Sequence, residues 1–450
     1  MHTPNSPSGR NHTTGSATPS PWVGIRKLMA VGVGVKRWLL LGGVGIAIFS
    51  LGIAYLLVRG FSFRPAPILP IAAEAAIAIA IGAAAMGLAF YGLYRILAPV
   101  VFARTSFDTM VHNISTRRAR GRGPKIVAIG GGTGQSVLLR GLKEHTDNLS
   151  AIITVADDGG SSGRLRKEFG LLPPGDFRNC LVALSDAEKT VTDLFQYRFQ
   201  QGQGLEGHSF GNLFIAAMTE VTGSFEAALY ESSRVLAVRG QILPSTLSDL
   251  RLSARLKDGS TIQGESTITT HGGQIEQLFI DPTEAAAYPA AVQAILSADL
   301  VVIGPGSLYT SILPNLLVSG IQEAVRNTQA TKVYVCNVAT QVGETEGYAV
   351  ADHLEALQRN TFRSIADFVV ANSDPKALGR RFLGKPVVHD GRPLGYARLA
   401  QTDLVDPWHP VRHDSTKLAQ AVLDVYHGRL KATSSPPAKG GTPVAADTPR

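Results

Sequence analysis

The residues with the plainest chemical use in this chain are glycines. Gly130-Gly131-Gly132-Thr133-Gly134 stands between the apolar run Lys125–Ile129 and a segment with the helical spacing of Val137, Leu138 and Leu142. At such a junction free backbone N–H groups and a helix N-terminus can cradle a phosphate. The stretch fits neither the dinucleotide fingerprint, since Gln135 occupies the third glycine position, nor Walker A, since no Lys-Ser/Thr follows. Glycines that only make a tight strand-to-helix turn are the simpler alternative. A second junction follows the run Leu300–Ile303. There Gly304-Pro305-Gly306-Ser307 opens another helical stretch, and Gly306 and Ser307 can offer backbone and hydroxyl donors to a second phosphate. Two such junctions in one domain are harder to dismiss than either alone. Asn337, Thr340 and Gln341 follow the run Lys332–Val335 and supply polar groups suited to a uracil or sugar edge, unless they merely satisfy their own loop.

Charged residues gather at comparable places. Asp157 and Asp158 end the second apolar run, at the carboxyl edge where ligands of open α/β sheets bind, and suit a ribose, a Mg²⁺ ion or a proton. Helix capping and turn formation are the equal alternative. Asp176, Arg178 and Asn179 open a predicted helix; an Arg in a first turn opposes the helix dipole, and an anion held there would offset that. A plain N-cap by Asp176 is the rival. His208 and Asn212 open another helix, where a lone His is more often structural. Arg412, just before the last helix, could clamp a diphosphate or pair with surface carboxylates.

The elements that must position these groups alternate between β and α signals, which predicts an α/β fold with a mostly parallel sheet. Strands are expected at Lys125–Ile129, Ala151–Val155, Leu300–Ile303, Lys332–Val335 and Phe368–Val370. Helices are expected at 136–143 and around 178–186, 210–238, 308–326, 350–358 and 416–427. Leu250–Ile268, with its Asp258-Gly259 turn, reads as an added β-hairpin. Cys180 and Cys336 lie in apolar stretches without metal-type spacing and read as buried thiols.

Ahead of that domain the composition changes. Residues 1–37 form a polar, basic terminus expected to be disordered, and residues 429–450 a disordered tail. Between them, 38–58 and 75–94 are each about the ~20 apolar residues a transmembrane helix needs. Residues 95–124 form a basic connector and 125–428 the globular domain. Residues 1–125 hold 14 Lys/Arg against Glu74 and Asp108, whereas residues 126–450 hold 29 Lys/Arg against 33 Asp/Glu. The basicity is juxtamembrane, which suits lipid headgroups, places both ends and the globular domain in the cytoplasm, and excludes a nucleic-acid partner.

The ordered motifs KIVAIGGGTGQSVLLRGLK, ITVADDGGSSGRLR, PPGDFRNCLVALSD, GHSFGNLFIAAMT, DGSTIQGESTI, ADLVVIGPGSLYTSILPNLLV, VYVCNVATQVGETEGY and VRHD, spread over residues 125–428, closely resemble the YvcK-type gluconeogenesis factors of the YvcK/CofD-like family. That resemblance implies a Rossmann-like fold, a homo-oligomer, binding of a UDP-sugar such as UDP-N-acetylglucosamine, and a regulatory role in carbon-source-dependent growth, cell shape and cell-wall homeostasis, with cell-wall regulatory proteins as partners. The glycine loops, Asp157, Asp158, Asp176, Arg178, Asn179, His208, Asn212, Asn337, Thr340, Gln341 and Arg412 would then bind the ligand. The wider family includes 2-phospho-L-lactate transferases, which use Asp residues with a divalent metal, and this implies Asp157 and Asp158 with Mg²⁺ as the alternative. No nucleophile–base pair emerges from spacing, so the first expectation is a regulatory binder rather than an enzyme.

Overall fold

The apolar runs become strands. In the computed structural model, residues 35–60, 71–101, 120–375, 378–379 and 381–430 are described. The chain divides into two compact units, residues 1–119 and 120–450.

In the second unit β1 (Ile126–Gly130) leads into α3 (Gly132–Leu142), β2 (Leu149–Ile153), α4 (Gly160–Phe169), α5 (Gly175–Leu184), α6 (Lys189–Gln196), α7 (Phe210–Thr222), α8 (Phe225–Val235) and β3 (Gln241–Pro244). A small region follows, with β4 (Arg251–Leu256), β5 (Thr261–Gln263), α9 (Glu265–His271) and β6 (Ile275–Asp281). The chain then returns through α10 (Pro289–Leu296), β7 (Leu300–Ile303), a π-helical turn at Leu308–Ile312, α11 (Leu313–Leu317), α12 (Ser319–Asn327), β8 (Thr331–Val335), α13 (Val350–Asn360), β9 (Phe368–Asn372), β10 (Arg398–Thr402) and α14 (Ser415–Tyr426).

Seven strands form one sheet in the order β10-β9-β8-β7-β1-β2-β3, parallel throughout. Their core is a continuous apolar layer: Ile126, Ile129, Ile152, Val301, Val302, Val333 and Val369 are all fully or nearly fully buried, as expected when helices cover both faces. The strand order reverses at β1, whose neighbours are β2 and β7. In a doubly wound sheet the crevice for a ligand opens at that reversal, beyond the carboxyl ends of the strands. The two glycine loops follow β1 and β7 and so flank it.

The expected hairpin forms between β4 and β5, but β6 joins it as a third antiparallel strand, and Glu265–His271 is a helix rather than its end. The helix expected over 210–238 is two helices, broken where Gly223 takes a left-handed φ of 78° as a C-cap. That over 308–326 is a π-helical turn and two helices, because Val318 leaves helical backbone. Both cysteines are free and buried.

In the first unit two helices cover the apolar runs, α1 (Val35–Gly60) and α2 (Ile71–Val101). They lie antiparallel on small residues: a methyl on Gly42 would meet Ala89, one on Gly45 would meet Ala85 at 3.0 Å, and one on Gly82 would meet Phe49 at 2.7 Å. The membrane spans expected at 38–58 and 75–94 find no support in the described residues. Among the described residues no helix is long and apolar enough to cross a membrane. Residues 1–34, 61–70, 102–119 and 431–450, which carry the expected tails and most of the connector, lie outside the described residues.

Candidate functional site at the sheet reversal

The first glycine loop is tighter than a turn followed by a helix. Gly130 closes β1, Gly131 caps in extended backbone, and α3 begins at once with Gly132 at φ +67°, so Thr133 and Gly134 are already helical. Each glycine answers a close approach. A methyl on Gly131 would fall 2.5 Å from Asp176 Oδ2, and one on Gly134 would fall 2.7 Å from the Pro305 carbonyl oxygen. Asp176 therefore does not cap its own helix, as one sequence reading had it. It sits in the first turn of α5 and accepts from the Gly132 N–H. Burial, and then the neighbouring Asp157, push its carboxyl up to about 6. Gln135, where the fingerprint would have glycine, is buried and donates from Nε2 to the Ala128 and Ile152 carbonyls at 2.9 and 3.3 Å, bracing β1 against β2.

The second loop turns at Gly304, φ +78°, and lies directly against the first. Asn337 grips it from both sides: its Oδ1 accepts from Gly306 N–H at 3.3 Å and its Nδ2 donates to the Gly306 carbonyl at 2.8 Å. Ser307 Oγ donates to Gln341 Oε1 at 2.7 Å, and Thr340 Oγ1 accepts from Lys385 N–H at 2.9 Å. These side chains, expected to face a base or sugar, are thus engaged in shaping the loop. Glu344, missed in the sequence, anchors the π-helical turn. It accepts from Tyr309 N–H at 3.0 Å and from Thr310 Oγ1 at 2.7 Å. Its signal was the one carboxylate three residues after Gln341, which bonds it at 3.0 Å.

Between the loops lies a cavity of about 340 Å³ lined by Gly131–Gly134, Pro305–Ser307, Ser311, Asn337–Gln341 and Val411–His413. Arg412 reaches it from the segment before α14, is exposed, and has no carboxylate partner among the described residues. His413 beside it is buried, its Nε2–H donating to the Cys336 carbonyl at 3.2 Å, and burial pushes its imidazole down to about 4, so it is neutral. The cavity offers backbone donors, hydroxyls and one cation, a set suited to a phosphorylated ligand. Its rear wall is rigid because a methyl on Gly141 would collide with the Ser415 backbone, which brings α14 directly onto α3.

The remaining expected residues lie elsewhere. Asp158 spends both oxygens on α9, accepting from Glu265 and Ser266 N–H at 2.9 Å each, and so caps that helix. Asp157 accepts from Gly159 N–H at 3.0 Å and approaches the start of α5; burial raises its carboxyl. Both Asp158 oxygens are taken by backbone N–H groups of α9, so the pair does not offer two free carboxylates to a Mg²⁺ ion. Among the described residues no group of three His, Cys, Asp or Glu side chains is placed to hold a metal. Glu265, on the same side, is pushed up to about 8 by burial and then by Asp157 and Asp158. Arg178, Asn179, His208 and Asn212 gather around Ser161 at the starts of α4, α5 and α7 and do not line the cavity.

A parallel α/β sheet with two abutting glycine loops at its reversal point defines a doubly wound fold of the Rossmann-like class. Residues 126–426 match the family model described as 2-phospho-L-lactate transferase CofD. The chain belongs to this CofD/YvcK family and groups with its gluconeogenesis factors. It is 47% identical over 313 residues to the gluconeogenesis factor of Bacillus subtilis, covering 68% of this chain and 99% of that one. A Nostoc sp. protein that carries the same name in provisional form is 47% identical over 427 residues, covering 89% of this chain and 92% of its own, and so matches part of the first unit as well. A crystal structure of a Bacillus halodurans protein superposes with a TM-score of 0.64 at 44% identity, covering 67% of this chain and all of that one.

Proposed function

We propose that the cavity between the glycine loops binds a nucleotide sugar, a UDP-sugar such as UDP-N-acetylglucosamine, and that the protein acts as a regulator in carbon metabolism and cell-wall homeostasis rather than as a catalyst. One observation carries this reading. Two backbone phosphate cradles abut at the sheet reversal with the unpaired Arg412 facing them, an arrangement suited to a diphosphate. The name gluconeogenesis factor, borne by relatives, supports the metabolic side. A Mg²⁺-dependent phospho-lactyl transferase is the competing reading, and the description of the family model favours it. The engagement of both Asp158 oxygens by α9 speaks against it.

Membrane association of the first unit is part of this proposal. Its support is the outward apolar surface of α1 and α2, with Leu40, Leu51 and Phe90 each more than 70% exposed, together with the basic flanks. Membrane flotation of the full chain tests it, and recovery entirely in the aqueous phase overturns it.

Calorimetry with UDP-N-acetylglucosamine tests the ligand. Arg412→Ala removes a charged contact and is expected to weaken binding roughly 10- to 150-fold, and Gly306→Val to abolish it with the circular dichroism spectrum unchanged. Absence of heat with any UDP-sugar at millimolar concentration, alongside turnover of a phospho-lactyl donor with Mg²⁺, replaces the binding reading with the transferase.

A further inference from the structure

A cavity of about 630 Å³, larger than the one between the glycine loops, opens between α4 and one face of the small antiparallel sheet. Arg251 and Ser253 alternate onto that face of β4, with Asp281 of β6 opposite Arg251 and Gln263 of β5 opposite Ser253. From α4 come Arg166 and Lys167. Arg166 serves the framework: its Nε donates to Asp249 Oδ1 at 2.6 Å and its Nη1 to the Asp157 carbonyl at 3.3 Å, which fixes α4 to the segment ahead of β4.

Charge in this lining is balanced. Arg166, Lys167 and Arg251 stand against Asp158, Asp249 and Asp281, so the cavity as a whole favours neither an anion nor a cation. Its internal pairing is incomplete. Asp158 is spent on the α9 N–H groups, and Asp249 takes both Arg166 and Arg251. Opposite charges directly across an antiparallel pair attract each other, yet Arg251 turns to Asp249 at 3.7 Å and leaves its cross-strand neighbour Asp281. Among the described residues neither Asp281 nor Lys167 forms an ion pair. The Gln263 amide and the Ser253 hydroxyl, direct neighbours across β4 and β5, hydrogen-bond neither each other nor any other described group. A free cation on the helix wall therefore faces a free anion and two free neutral groups on the sheet wall.

We propose that this cavity binds a short zwitterionic peptide, with its carboxylate at Lys167, its free amine at Asp281 and a backbone amide against Ser253 and Gln263. A compact space of this volume is about 10 Å across, the span of roughly three extended residues, whereas the two charges of a single amino acid lie too close together to meet both walls. None of these four side chains lines the glycine-loop cavity, so the proposal stands whether or not that cavity takes a nucleotide sugar.

Trialanine, whose only charges are its termini, is the probe, titrated into the purified full-length protein and followed by calorimetry and thermal shift. Wild type is expected to bind it saturably, and to bind N-acetyl-trialanine, trialanine amide and free alanine each several-fold more weakly. Lys167→Glu turns attraction into repulsion and should weaken free trialanine by about 10-fold, yet spare the amide, which already lacks the carboxylate. Asp281→Lys should likewise weaken free trialanine and spare the N-acetyl form. Both side chains are exposed, so an unchanged circular dichroism spectrum is expected in each variant. Arg412→Ala, in the other cavity, should keep wild-type affinity. No saturable response in wild type overturns the proposal. So does equal binding of free and blocked peptides or of alanine, equal loss of free and blocked forms in either charge variant, or loss in Arg412→Ala, which would put the peptide at the glycine loops.

Discussion

The two glycine loops leave the same edge of the sheet, yet they are held by different means. The loop after β1 leans on a carboxyl from another helix, Asp176, whose charge is poised near neutrality. The loop after β7 is gripped by the neutral amide of Asn337 through both backbone groups of Gly306, and its following turn is anchored by the buried Glu344. An amide clamp works at any pH, whereas a clamp that can lose its charge makes the loop it holds responsive to protons and to an arriving anion. The difference predicts that pH reaches the first loop directly through Asp176 and the second only through Glu344 behind it, whose carboxyl burial also raises.

That contrast can be broken at four points, taken from the largest effect down. Glu344→Ala leaves the Tyr309 N–H and Thr310 hydroxyl without their buried acceptor and should cost about 3 kcal/mol in urea unfolding; a loss under about 1 kcal/mol would show that the second loop does not depend on it. Gly134→Ala drives a methyl toward the Pro305 carbonyl, 2.7 Å away, and should cost about 1–3 kcal/mol and spread the loops, seen as lost ligand heat; a variant with wild-type stability and affinity would mean that the loops separate freely.

Asp176→Asn addresses charge alone. Because the folded carboxyl is raised to about 6, its contribution to stability is full below its unfolded value near 4 and is lost as pH rises through 6. The Asn variant should therefore gain on wild type between pH 4 and 6 and hold that gain above it, measured by melting temperature across the range; a constant difference over that range refutes the poise. Glu265→Gln should act most weakly, since Glu265 is only half-buried. With its carboxyl raised to about 8, wild type loses this contribution between about pH 4.5 and 8, so the variant should melt higher at pH 8.5 and little differently at pH 4. Equal melting at pH 8.5 would remove the carboxylate repulsion inferred there.

Much of this was legible in the residues. The buried strands β1, β7, β8 and β9 announce themselves as apolar runs, and the glycine loops that follow β1 and β7 were placed correctly. Of the strands that escaped notice, β3 (QILP) and β10 (RLAQT) lie at the large sheet's edges, where one side needs no apolar neighbour and the period fades, and β6 (IEQLFID) lies at an edge of the small antiparallel sheet. Glu344 was hidden because a buried carboxylate satisfied by backbone N–H groups looks, in sequence, like any surface acid. Asp157-Asp158 shows what adjacency hides. Neighbours along an extended chain send side chains to opposite sides, and these two meet different elements, one the start of α5 and one the start of α9. Asn337 and Gln341 likewise have donors and acceptors that fit a base, but a loop of glycines needs those groups first.

The close seat of α14 on Gly141 has a consequence for how ligand occupancy is felt. The helix that begins with the glycine loop and the helix that follows Arg412 touch backbone to backbone, leaving no compliant side-chain layer between them to absorb a displacement. Closing the cavity must then load the carboxyl-terminal helix as a strut, and occupancy becomes readable at Ser415–Tyr426 as slowed amide hydrogen exchange, at the far end of the chain from its first unit.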